Sequence, residues 1–411
     1  MMIFVLFVVL QNYLVNGQSR GNQDESKVQP YTLPSLLLTS DGKTVKNVTD
    51  WEKNQRPYLL QQFTKNVYGR IPGRPANMHF KVISENHRVL NGKATRKQVR
   101  IFFGEGETVP YTTLLIYLPV ASQKVTVFVG LNFDGNHNVN IDTGIVITDQ
   151  WLKLNGKTDS IVRGRQSRRW PVEELIRNGY GVATAWYQDF EPDFAEGWKT
   201  GIRSGLKEDL RIQPEEWGAI AAWSWGLSRI VDYLVSDPAI DSGKIILTGH
   251  SRLGKAALWA AVNDDRFKLV IANNSGEGGA ALSRRNFGET IKDLNNSFPH
   301  WFIDRYKSYN DNVGAMPVDQ HMLLALIAPR PLYVASASAD LWADPRGEFL
   351  SANHAGDVYS LYGKKGISVK EMPSLEKPVG ETVRYHVRNG EHDILLFDWL
   401  QYIRFADELL K

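Results

Sequence analysis

Residues 244–259 read Lys-Ile-Ile-Leu-Thr-Gly-His-Ser-Arg-Leu-Gly-Lys-Ala-Ala-Leu-Trp, an apolar run that passes through Gly249-His250-Ser251 into a helix-forming stretch. A strand that turns this sharply into a helix holds a serine hydroxyl at the C-terminal edge of a sheet, strained and open to a substrate. Gly249 is needed because a side chain there would crowd the turn. The first-turn N–H groups of the helix then face any negative charge that develops on a bound carbonyl. Ser251 is therefore the candidate nucleophile; the competing reading is that it only caps the helix. The second glycine falls at 254, giving Gly-X-Ser-X-X-Gly where such turns usually read Gly-X-Ser-X-Gly. The chain has no cysteine, so no thiol competes for the role.

A nucleophilic serine needs a base and an acid, and in strand–turn–helix hydrolases they follow in the chain order serine, acid, histidine. Of nine histidines, His392 stands in Asn389-Gly390-Glu391-His392-Asp393, a turn-rich loop ahead of an apolar helix that begins near Leu395. His386, in the preceding strand-like run, and His250, next to the serine, are less well placed. The acid is expected after the late apolar strand at 331–336, where the chain continues Ala337-Ser338-Ala339-Asp340-Leu341-Trp342-Ala343-Asp344-Pro345. Asp340 is the preferred partner for His392. Asp344 competes, and either could instead cap the helix that follows.

These residues must be carried by a sheet. Val99, Ile101 and Phe103 alternate with polar residues, and after a Gly-Glu-Gly turn Thr112, Leu114, Ile116 and Leu118 do the same, which predicts an antiparallel hairpin. From residue 125 the pattern changes to continuous apolar runs at 125–131, 181–186, 244–247, 269–272 and 331–335, as parallel strands buried on both faces require. Between them Trp217, Ile220, Leu227, Ile230, Val231 and Leu234 recur at helical spacing, as do residues 256–262. The expectation is an α/β-hydrolase fold: one mixed, mostly parallel sheet sandwiched between helices in three layers. A helix-like stretch through Leu59, Leu60 and Phe63 precedes it, ending at a Gly69–Gly73 turn. Residues 18–30 are polar and expected to be disordered, and residues 31–411 to form a single catalytic domain.

Composition narrows the function class. With 48 Lys+Arg against 45 Asp+Glu, the net charge of +3 gives no footing for nucleic-acid binding. The apolar run from Met2 to Leu10 is too short to span a bilayer. With Val15 and Gly17 ahead of Gln18, residues 1–17 read as a cleaved signal peptide, although no Lys or Arg precedes the run. Without cysteine there is neither a lipoprotein anchor nor a disulfide. The reading is an exported protein, periplasmic or secreted, monomeric, with no membrane anchor, no metal and no cofactor.

Taken together, the motifs resemble the glucuronoyl esterases, carbohydrate esterase family 15, in their bacterial branch. Gly249-His-Ser251-Arg-Leu-Gly254-Lys255 is similar to that family's Gly-X-Ser-Arg-X-Gly-Lys segment, including the displaced glycine. Supporting likenesses lie at Gly130-Leu-Asn-Phe-Asp-Gly-Asn-His137, Asp340-Leu-Trp-Ala-Asp-Pro345 and Gly390-Glu-His-Asp393, and the resemblance runs from about residue 51 to the C-terminus. It implies cleavage of the ester between glucuronic acid on xylan and a lignin alcohol. It further implies that Arg252 helps hold the oxyanion, that Lys255 and Glu289 contact the sugar, and that Trp342 faces the substrate. In one respect the chain departs from the pattern. Many members carry the acid as glutamate in a Glu-Ser-Gly step 23 residues after the serine, and here that step is Asn274-Ser275-Gly276. Some bacterial members use the aspartate after the later strand, which Asp340 fits; Glu277 is a weaker alternative. Two rivals stand beside this reading: an acetyl xylan esterase or other carbohydrate esterase on the same scaffold, and a non-catalytic carbohydrate-binding protein, for which Asn274 is the argument.

Overall fold

The alternating segments near residues 99 and 114 form the expected hairpin, β2 (Ala94–Phe102) against β3 (Tyr111–Pro119), with Val99 opposite Leu114. They belong to a ten-stranded sheet in a computed structural model that describes residues 21–121, 123–156 and 162–411. The other strands are β1 (His79–Val89), β4 (Val125–Asn132), β5 (Gly181–Trp186), β6 (Ile240–His250), β7 (Phe267–Asn273), β8 (Leu332–Ala337), β9 (Val379–Gly380) and β10 (Val383–Arg388). The spatial order is β1-β2-β3-β5-β4-β6-β7-β8-β10-β9. Pairing is antiparallel from β1 through β3 to β5, parallel from β5 through β4, β6, β7 and β8 to β10, and antiparallel again at β9.

Each continuous apolar run is a strand with helices on both sides. In β4, Val127 and Val129 join the core beneath helices Ala219–Leu234, Arg252–Asn263 and Pro345–Leu361. Phe128 joins the opposite core, against Val172–Arg177 and Leu396–Leu410. Burying both faces of a strand leaves no place for polar alternation, which is why these segments read as unbroken apolar runs. A fully buried Val, Ile or Leu contributes roughly 1.5–3 kcal/mol, and these two cores stabilise a chain without any disulfide. Helix Ala219–Leu234 is buried on every side. Its polar residues are satisfied internally: Ser224 Oγ donates to the Ala256 carbonyl at 2.8 Å and Arg229 Nε to Asp232 at 2.7 Å.

The signal-peptide segment, residues 1–17, lies outside the described residues. Of the polar segment 18–30, the described part, 21–30, makes ionic and backbone contacts with the rest of the fold. Glu25 accepts from Arg285 Nη2 at 2.7 Å and lies 3.6 Å from Arg346 Nη1. The Asn22 carbonyl accepts from Gly288 N–H at 2.7 Å. Strand β1 was not expected; it is a largely exposed edge strand rich in polar residues, so neither a long apolar run nor a clean alternation marks it. No helix among the described residues is long and apolar enough to cross a membrane.

Candidate active site

Strand β6 delivers Ser251 in a conformation that only a sharp turn produces: φ is +56° and ψ −132°. A non-glycine residue held there is strained, and strain of this kind persists only where surrounding contacts enforce it. The Ser251 N–H donates to the Asn273 carbonyl at 2.9 Å, while its carbonyl accepts from Gly254 N–H at 2.8 Å. The side chain does not cap the helix, which removes the bland reading of this serine. The glycine spacing also has a physical cause. A Cβ on Gly249 would stand 2.1 Å from the Leu253 carbonyl oxygen, and one on Gly254 would stand 2.9 Å from Ser275 Cβ. The helix therefore crosses the loop after β7 at position 254, not at 253, and Leu253 is buried in the core instead.

His392 is carried by the loop between β10 and helix Leu396–Leu410. Its ring stands 4.7 Å, centroid to centroid, from that of His250, the residue before Ser251. The loop is braced from within by Arg388, which donates to the carbonyls of Asn389, Glu391 and Asp393 at 3.0, 2.7 and 2.6 Å. His392 Nδ1 lies 2.6 Å from Asp340 Oδ2. Burial alone would raise the Asp340 pKa, but hydrogen bonds from His392 and Asn274 outweigh it and hold the carboxyl below its usual range. An ionised carboxylate only accepts, so the Nδ1 position of His392 carries the proton and Nε2 offers a lone pair. The other histidines weighed for this role are committed elsewhere. His386 sits between Asp398 and the Tyr333 hydroxyl, each at 2.8 Å. His250 is 2.7 Å from Asn273 Oδ1, and burial, with His392 beside it, pushes its pKa well down.

The competing acids are accounted for as well. Asp344 caps helix Pro345–Leu361 and accepts from Arg285 Nε at 2.8 Å. Glu277 is sealed in the core, accepting from the Ser283 and Tyr306 hydroxyls at 2.6 and 2.8 Å; burial raises its pKa to about 7. Asn274 donates through Nδ2 to Asp340 at 2.7 Å.

Arg252, first residue of the nucleophile helix, packs its guanidinium 4.8 Å from the Trp301 ring and 5.2 Å from Phe298. It is hydrogen-bonded to Asp193, a residue that no motif singled out. Lys255 lies one turn further along the helix and is buried; its ammonium donates to the Ser275 carbonyl at 2.7 Å and is 3.4 Å from Glu289. Glu289 in turn accepts from Trp342 Nε1 at 3.1 Å. Trp342 is 37% exposed, so it is not the core tryptophan that its residue type would suggest. Lys255, Glu289 and Trp342, scattered over 87 positions, thus form one connected chain.

Several known proteins are similar to this chain over most of its length. A family model described as "Glucuronyl esterase, fungi" matches residues 180–363. The curated protein "Carbohydrate esterase MZ0003", from an unknown prokaryotic organism, is 46% identical over 404 residues, covering 96% of this chain and 93% of that one. Among solved structures, a glucuronoyl esterase from Solibacter usitatus is similar at 48% identity and a TM-score of 0.88, covering 93% of this chain and 99% of that one. A structure described as a promiscuous CE15 esterase from a marine bacterial metagenome gives 45% identity and a TM-score of 0.87, covering 94% and 99%. Coverage of nearly the whole chain on both sides, at close to half identity, makes this chain a member of carbohydrate esterase family 15, the glucuronoyl esterases, which are carboxylic-ester hydrolases of the α/β-hydrolase fold.

Proposed function

We propose that this enzyme cleaves the ester joining glucuronic acid or its 4-O-methyl ether, carried on xylan, to a lignin alcohol, with Ser251, His392 and Asp340 as the catalytic triad. His392 Nε2 takes the Ser251 proton as Oγ attacks the uronic ester carbonyl. The tetrahedral oxyanion is held by Arg252 and by first-turn N–H groups of the nucleophile helix. The imidazolium passes its proton to the departing alcohol; water, activated by the same histidine, then releases free glucuronate. Asp340 fixes the tautomer and stabilises the imidazolium. Lys255, Glu289 and Trp342 bind the sugar: two charged groups for its hydroxyls and an indole for its ring face.

The observation that carries this reading is the 2.6 Å contact between His392 and Asp340 beside the strained Ser251 turn. The deciding experiment compares hydrolysis of methyl glucuronate with that of acetylated xylan. Clear preference for the uronate ester is expected; preference for acetate would end the glucuronoyl reading. A broader ester scope has one specific support, the relative described as promiscuous, and it would show as comparable rates on both substrates. A Ser251→Ala variant with unchanged turnover would favour a non-catalytic binding protein. We further propose that the protein is exported and acts as a monomer, which the size of the processed product in the periplasm or medium and its mass in solution test.

A further inference from the structure

Asp193 lies in the connection between β5 and helix Ala219–Leu234, far in sequence from the nucleophile. Its carboxylate is 3% exposed and accepts from four donors: Arg252 Nη1, His300 Nε2 at 2.8 Å, Trp301 Nε1 at 2.7 Å and the Tyr187 hydroxyl at 2.9 Å. Burial alone would favour the neutral acid, yet the His300 and Trp301 hydrogen bonds and the Arg252 charge prevail and take its pKa down to about 2. A buried carboxylate so fully satisfied is a rigid anchor. The arginine it grips is bound on one side only: Arg252 remains 28% exposed, with two aromatic rings along its guanidinium.

We propose that Asp193 is a positioning residue for the esterase reaction, holding one Nη of Arg252 so that the rest of the guanidinium stays aimed at the oxygen that becomes charged when Ser251 attacks. This rests on the oxyanion role given to Arg252 above. An arginine on the first turn of a helix has many rotamers, and a cation that must find its place during the reaction stabilises charge less than one already fixed. The carboxylate also cancels part of the arginine's field. Orientation and field therefore make opposite predictions for removal of the charge: a slower enzyme if orientation dominates, a faster one if field dominates.

The test is a double-mutant cycle on a methyl ester of glucuronic acid, with Asp193→Asn, Arg252→Ala and the pair. The Asn side chain keeps an oxygen for the other donors while losing the charge. Asp193→Asn is expected to lower kcat about 10- to 100-fold with KM within about twofold, and to cost less than about twofold once Arg252 is Ala. An equal loss in both backgrounds, no loss, or a gain would each overturn the proposal. If Arg252→Ala alone leaves kcat unchanged, the oxyanion role itself fails, and that outcome is separate from any result at Asp193. Should Asp193→Asn not fold, Tyr187→Phe removes one donor to the same carboxylate. A loss of kcat of a few-fold that vanishes in the Arg252→Ala background supports the proposal, and one that persists there overturns it.

Discussion

Asp340 offers a single carboxylate oxygen, Oδ2, to both His392 Nδ1 at 2.6 Å and Asn274 Nδ2 at 2.7 Å. Asn274 occupies the place where the family resemblance puts a glutamate in many members, and its amide here supports the Asp340 carboxylate after the next strand. Its backbone has φ +46°, a left-handed conformation that asparagine tolerates better than most residues. Removing the amide in Asn274→Ala takes away one of the hydrogen bonds that hold Asp340 ionised. The Asp340 pKa should then rise, moving the acidic limb of the kcat/KM profile to higher pH, with a loss of roughly tenfold at neutral pH. A pH–rate profile superimposable on that of the parent would refute this.

The two aspartates of the loop after β8 should separate cleanly. Asp340→Asn is expected to lower kcat by about 10³–10⁴, the scale set by losing the charge behind a catalytic histidine. Asp344→Asn should instead cost stability, on the order of 2–4 kcal/mol, because it keeps the helix cap but leaves Arg285 without its buried carboxylate. Its kcat should stay within a few-fold. Steady-state kinetics and denaturant unfolding on both variants would show whether the roles are as assigned.

Trp342 and Glu289 are expected to act on the sugar, not on the bond being broken. Trp342→Ala and Glu289→Gln should raise KM for a glucuronate ester roughly tenfold, the worth of about 1–2 kcal/mol of binding. Hydrolysis of p-nitrophenyl acetate, which has no sugar ring, should be nearly unchanged. Equal damage to both substrates would mean that these side chains hold the site together and do not read the sugar.

Three buried carboxyls give the fold an expected pH dependence. Burial raises Asp189, Glu277 and Glu348 each to about 7. The folded state therefore keeps protons that the unfolded chain releases near pH 4–4.5. Their contribution is fully present below that range and is lost as pH rises through about 7. The melting temperature should fall between pH 5.5 and 8. Glu277→Gln, which retains an acceptor for Ser283 and Tyr306, should flatten that slope, removing on the order of 1–3 kcal/mol of the change. A slope unaltered by the substitution would show that Glu277 stays in one protonation state throughout.

Much of this was open to reading from the residues because parallel strands and a nucleophile turn have narrow requirements. The run at 181–186 coincides with β5, and the hairpin near residues 99–118 forms with Val99 facing Leu114. Ser251, Asp340 and His392 follow strand ends, where chain order alone constrains position. What escaped notice has no local signature. Asp193 matters through Arg252, His300 and Trp301, which lie 59 to 108 positions away. Strand β1 is marked by pairing with β2, not by its own composition. The firmness of residues 21–30 likewise depends on Arg285 and Arg346, which no reading of a polar tract could supply.

That short leading tract has a practical side. Asn22 fastens Gly288, the neighbour of Glu289, while Glu25 bridges Arg285, just ahead of Glu289, and Arg346, in the first turn of the helix that follows Trp342. Residues 22–25 thus form a clasp between the segments that carry Glu289 and Trp342, and none of these contacts involves Ser251, His392 or Asp340. A recombinant version trimmed to begin near residue 31 loses these ties, and it is expected to show a raised KM for a glucuronate ester while hydrolysing p-nitrophenyl acetate at an unchanged rate.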